Sequence, residues 1–167
     1  MRLKNLKKAP MEIASLLAAD EKVVKLIYND SPSALTESFN PVSMQDLINQ
    51  DYIGFYPAIE SGIKDIERNT FIIINTEDFS LAQAGINTTV SGAIYVTTDK
   101  AHSLLTNGAI RLLELVDAID SCLENQKLSS AGKISLVDVQ YVTFSDFRCG
   151  YRIGFRLTDQ QNRKAEL

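Results

Sequence analysis

The chain has 167 residues, 45% hydrophobic and 23% charged, with a net charge of −4 at neutral pH. That is enough chain for one domain with a buried core, and too apolar for wholesale disorder. Its longest apolar runs are a few residues, well short of the ~20 that span a bilayer, and its acidic balance argues against a nucleic-acid binder.

The charge is unevenly placed: both ends are basic and the middle is acidic. Residues 1–9 form a basic leader. It has the positive start of a signal peptide but no apolar segment after it, which implies synthesis and folding in a cytoplasm. Pro10 suits the first turn of a helix, and Ile13, Leu16, Leu17, Val24 and Ile27 share a helical face as far as Tyr28. Asp20 interrupts that stripe; it either caps a second short helix or faces water. Residues 29–43 hold two prolines and four serines without a period, and read as a long loop. Ser43 and Asp46 make an S-x-x-D cap for a short helical turn with Leu47 and Ile48.

Residues 52–59 read as a strand that Pro57 pushes to a sheet edge. The run Thr70, Phe71, Ile72, Ile73, Ile74, Asn75 does not alternate, as in a strand covered on both faces. Residues 77–88 read as a second long loop presenting Asp78, Phe79 and Leu81. Val90, Ile94 and Val96 alternate with Ser91, Ala93 and Tyr95 in a strand that feeds directly into a helix. There Leu105, Ala109, Leu112, Val116, Ile119 and Leu123 form one apolar stripe over about six turns. Asp99 is the candidate N-cap. Arg111, Glu114, Asp117, Asp120, Glu124 and Lys127 mark the wet faces. After a turn at 128–132, residues 133–144 and 149–157 form a strand pair, followed by a polar tail at 159–167. In the last strand Tyr151, Ile153, Phe155 and Leu157 point one way, and Arg152, Gly154, Arg156 and Thr158 the other. The fold class is α+β: a single mostly antiparallel sheet, a long helix packed on one face, and an N-terminal helix.

No motif carries chemistry. The glycines form neither a dinucleotide fingerprint nor a phosphate-binding loop, so no cofactor is expected. The single histidine, His102, and two cysteines, Cys122 and Cys149, lack metal-ligand spacing, so no metal is expected either, and the cysteines read as buried free thiols. As a general base His102 would need a partner within hydrogen-bond reach, which its neighbours Asp99 and Ser103 do not supply. Gly92 and Gly154 fall inside strands, where a bulge or close crossing is the plain reading. The polar set that stands out is Arg148, Arg152 and Arg156. Arg152 and Arg156 share a strand face and Arg148 adjoins them. They form either a positive stripe for phosphate backbone or a neighbouring subunit's carboxylates, or a wet sheet face paired across strands with groups such as Asp138.

The strand Gly92-Ala93-Ile94-Tyr95-Val96, the helix with Arg111 and Ile119-Asp120, and the closing Gly-Tyr-Arg-Ile-Gly-Phe-Arg-Leu follow one another in an order that resembles the tail-terminator and tail-completion (neck) proteins of tailed bacteriophages. The resemblance spans about residues 10–158. It implies a structural virion protein at the tail or neck, not an enzyme, assembled in the host bacterial cytoplasm. Such proteins form homo-oligomeric rings, commonly hexamers, that cap the tail tube and meet the neck or connector proteins, with DNA passing through. It implies no membrane partner and no specific nucleic-acid binding. Arg148, Arg152, Arg156, Asp78 and Phe79 are the candidate contacts. A head-completion ring, a non-viral ligand-binding or regulatory α+β domain, and an enzyme without a known motif are the rival readings.

Overall fold

Asp20 splits the N-terminal stripe into two helices in the computed structural model, which describes residues 8–55, 66–81 and 87–160, and of 78–81, 87, 88, 159 and 160 the backbone alone. Helix α1 (Ala9–Ala19) carries Pro10 in its first turn and buries Ala9, Ile13, Ala14 and Leu17. At Asp20 the backbone becomes extended, and its carboxylate accepts from Val23 N at 2.9 Å, capping α2 (Glu21–Tyr28). Helix α3 (Met44–Asn49) starts as its sequence requires. Ser43 Oγ accepts from Asp46 N at 3.1 Å and donates to Asp46 Oδ2 at 2.6 Å.

The strands are β1 (Ile53–Gly54), β2 (Thr70–Leu81), β3 (Asn87–Asp99), β4 (Lys127–Leu128), β5 (Gly132–Thr143) and β6 (Arg148–Gln160). They form one sheet in the order β1-β2-β3-β6-β5-β4, with only β1 and β2 parallel. The two hairpins, β2–β3 and β5–β6, meet where β3 runs against β6 without a register shift from Asn87–Gln160 to Asp99–Arg148. Helix α4 (Arg111–Leu123) is the crossover between them.

All three long helices cover one face. Ile13, Leu17, Val24, Ile27, Leu112, Leu115 and Ile119 pack with Ile72, Ile74, Ile94, Val96, Ile153, Phe155 and Leu157 in one core. On the opposite face Phe71, Ile73 and Phe144 form a small second cluster with Tyr95 and Val142. The unalternating run in β2 is thus buried on both sides, as expected.

Several expectations change. The long helix is shorter: α4 has 13 residues, fewer than four turns. Before it lie a 3-10 turn (Lys100–His102) and a tight loop in which Leu104 bridges Ile110. That loop turns on Asn107 and on Gly108 at φ +81°, where a left-handed backbone favours glycine. Leu105 is buried beneath it, so the apolar stripe continues in space although the helix does not. Asp99 makes no cap bond to the 3-10 turn and instead pairs with Arg148.

The loop at 77–88 is largely strand. Register shifts between Thr76 and Asp78, and this bulge lets β2 run on to Leu81. Asp78 and Phe79 are therefore ladder positions opposite Ser91 and Val90, not loop-tip residues. Their side chains, and residues 82–86, lie outside the described residues. Finally, among the described residues of the edge strand at 52–59 the pairing is at Ile53–Gly54, residues 56–59 with Pro57 lie outside the described residues, and β6 extends to Gln160 into the predicted tail.

Candidate functional site

Strand parity places Arg148, Arg152 and Arg156 on the sheet face away from the helices, opposite to Ile153, Phe155 and Leu157. Their surroundings differ. Arg148 is a clamp: Nε donates to Asp99 Oδ1 at 2.9 Å, and Nη2 to Arg68 O at 2.9 Å. Its guanidinium lies 5.0 Å from the centre of the Phe71 ring, and the side chain is only 12% exposed. It ties the chain entering β2 to the β3–β6 pair.

Arg152 sits at the centre of the face, level with Tyr95 on β3 and Gln140 on β5. Its Nη2 donates to Glu77 Oε2 at 2.6 Å and its Nη1 reaches Asp138 at 3.3 Å. Tyr95 Oη donates to Glu77 Oε1 at 3.1 Å, and Gln140 Nε2 to Asp138 Oδ2 at 2.8 Å. The hydrogen bond to Glu77 raises the arginine's pKa, while burial, then Glu77, raises that of the Tyr95 phenol. Gly154 leaves room for this pairing: a Cβ there would run into the Asp138 carboxylate and come within 3.1 Å of Arg152 Nη1, so Asp138 would have to swing aside. Arg156, between Ser91 and Ser135, is exposed. The stripe is therefore one clamp, one cross-strand ion-pair network and one exposed cation. The Asp138 partnership was legible from the sequence; Glu77 was not, since residues 77–88 read as a loop.

Arg111, expected on a wet face, is fully buried. Its Nη1 donates to Leu26 O at 2.7 Å and Asn29 O at 2.8 Å, Nη2 to Ser31 O at 2.7 Å, and Nε to His102 O at 2.9 Å. Two of those acceptors end α2 or follow it, where carbonyls lack helical partners. Burial lowers the arginine's pKa, partly offset by nearby Asp30. Arg111 stands four residues before buried Leu115, and neither belongs to the predicted stripe, so the apolar period did not mark it.

His102 stands in the 3-10 turn with Nε2 3.5 Å from Asn69 Nδ2, and Asn69 donates to Asp30 at 2.6 Å. Two acidic residues of α4 share one lysine, and Glu124 lies just past the helix end. Glu114 and Asp117 pair with Lys22 at 2.9 and 3.1 Å, and Glu124 accepts from Leu136 N at 2.7 Å. Cys122 and Cys149 are free thiols; burial pushes Cys122 up to about 11.

The segment 29–43 is ordered by one carboxylate. Glu37 accepts from Ser31 Oγ at 2.6 Å, Ser33 Oγ at 2.7 Å and Asn29 Nδ2 at 2.6 Å. These bonds, led by Ser31, lower its pKa from 4.5 to about 2. A carboxylate whose folded value lies below its unfolded one stabilises the fold above 4.5, and that contribution is lost as pH falls towards 2. Glu37→Gln is expected to lower the melting temperature at neutral pH, the deficit shrinking through that acid window. Parallel melting curves for wild type and variant across the window would contradict it. The loop borders an open cleft of about 520 Å³ lined by Tyr28, Asp30, Phe39, Pro41 and Asp46.

No curated protein matches the chain. A family model matches residues 20–157, from the cap of α2 to the last core residue of β6. The chain therefore belongs to the YomW family and is a phage-related protein.

Proposed function

We propose that this phage-related chain is a structural virion protein, a ring-forming tail terminator or neck component that caps the tail tube and joins it to the head. The observation that carries the reading is the sheet face away from the helices. It presents a polar surface of Glu77, Asp138, Gln140, Arg152 and exposed Arg156, backed by a rigid unshifted β3–β6 ladder. Mixed charge on a rigid face suits the repeated head-to-tail contact that closes a ring, where one surface of each subunit meets a different surface of the next. A six-fold ring assembled in the host cytoplasm, with DNA passing through its opening, follows from the same reading. The contact rests first on exposed Arg156, since the guanidinium groups of Arg148 and Arg152 are engaged within the subunit.

Deleting the gene from a phage or prophage that carries it is expected to leave unjoined heads and tails, visible by negative-stain microscopy. Arg156→Glu, which reverses an exposed charge, is expected to reproduce the joining defect with an unchanged melting temperature. Joined, infectious particles from the deletion, with no trace of the protein in wild-type particles by mass spectrometry, would sink the proposal. Labelling at the end of the tube or at the base of the head separates a tail terminator from a head-completion ring.

A further inference from the structure

Strand β5 is 12 residues long, but β4 covers only its first two, at Gly132 and Lys133. Beyond Leu136, whose N–H is taken by Glu124, its outer edge has no strand partner among the described residues. Proteins usually blunt such an edge with lysine, proline or a charge pointing along it. Here the segment Val137-Asp138-Val139-Gln140-Tyr141-Val142-Thr143 has no lysine and no proline. Its one charge, Asp138, is held by Arg152 and Gln140 on the sheet face.

The edge is also apolar. Val137, Val139 and Tyr141 are 57%, 50% and 59% exposed. Val139 and Tyr141 lie opposite Ile153 and Tyr151, so they share the helix-covered side of the sheet. The core reaches Ile134 and Leu136 on this strand and stops there. Tyr141 leans on Tyr151 with ring centres 5.5 Å apart.

Backbone parity shows what the edge offers. Phe144 N–H points inward, to Arg148 O at 3.1 Å. Since donors alternate along a strand, the N–H and C=O groups of Val139 and Tyr141 point outward.

We propose that this edge pairs with the same edge of a second copy, antiparallel about a two-fold axis at Gln140. The segment is self-complementary in that register. Val139 of each copy lies opposite Tyr141 of the other, and the outward groups exchange hydrogen bonds in both pairs. The four side chains gather on one face as aromatic and β-branched cross-strand pairs. Asp138 falls opposite Val142, so no like charges meet, whereas a partner strand carrying acidic residues at these positions would meet the Asp138 side of an acidic domain. The two six-stranded sheets become continuous. An isologous pair closes on itself, so this contact belongs to the free protein. It is separate from the head-to-tail contacts of a ring and does not rest on the ring reading.

Light scattering on the purified full chain is expected to give twice the chain mass. The double variant Val139→Lys, Tyr141→Lys is expected to halve that mass with an unchanged circular dichroism spectrum, since both side chains are exposed. Arg156→Glu, on the other face, is expected to leave it dimeric. Hydrogen exchange supplies a check that needs no variant: the Val139 and Tyr141 amides are protected in the dimer and lose protection on dilution. A wild-type chain that is monomeric at every concentration, leaving the edge to another occupant, overturns the proposal. So does a lysine variant that is folded and still dimeric, or a pair of amides that exchange freely at high concentration. None of these results bears on whether the protein sits in the virion, which the particle experiments decide.

Discussion

Replacing Arg111 with alanine is expected to lower the unfolding free energy by about 3–5 kcal/mol, a large part of the net stability of a domain. The side chain is fully buried and donates to four carbonyls, those of Leu26, Asn29, Ser31 and His102. Truncation leaves the carbonyls of Leu26, Asn29 and His102 without that donor, while Ser31 O still accepts from Ala34 N at 3.1 Å. Each buried unsatisfied group costs about 1–3 kcal/mol where water cannot reach it. Water entering the vacated space offsets part of that sum. Lysine restores the charge but not the planar fork that reaches carbonyls on two sides, so Arg111→Lys is expected to recover only part of the loss. Urea unfolding with an unchanged slope measures it. A midpoint for Arg111→Ala no lower than that of Leu113→Ala, whose side chain is largely exposed, would show that the arginine is not the tie described here.

Adding a single methyl group at Gly92 is expected to cost about 3 kcal/mol, the upper end of the usual range for overpacking. A Cβ there would collide with the backbone oxygen of Asn75 and come within 2.9 Å of Phe155 Cε1. The Phe155 ring can move, though it is buried in the main core, but Asn75 belongs to the neighbouring strand of the same ladder. Relief therefore needs β2 and β3 to separate next to the Thr76–Asp78 bulge. At about 2–4 °C per kcal/mol for a chain of this size, the melting temperature should fall by on the order of 10 °C. Gly108→Ala is the comparison. Nothing lies within 4 Å of its Cβ, so the change carries only the strain of a left-handed φ of +81°, about 1 kcal/mol. If the two alanine variants melt together, the close approach at Gly92 does not constrain the sheet.

The face of a strand was legible wherever its residues alternate or are uniformly apolar. Alternation in β6 separated Ile153, Phe155 and Leu157 from Arg152 and Arg156, and the unbroken run in β2 marked burial on both sides. Helix starts with a side-chain cap were legible too, since the capping oxygen and the amide it serves are three residues apart, as at Asp20 and Ser43. The start of α4 was not. Periodicity reports which residues are buried together, and Leu105 is buried beneath a turn as it would be beneath a helix.

Sequence by itself determined the α+β class, the apolar set and the shared face of Arg152 and Arg156, because side-chain period and local capping act over a few residues. Tertiary structure alone decided what each arginine does. Arg111 is buried because α2 brings carbonyls some eighty residues away within reach, and Arg148 is a clamp because the chain before β2 crosses its strand. Arg156, with the same parity as Arg148, is left exposed. The open edge of β5 was also a tertiary outcome, because it depends on where β4 stops pairing. Burial and pairing of this kind are set by distant segments, and no local pattern encodes them.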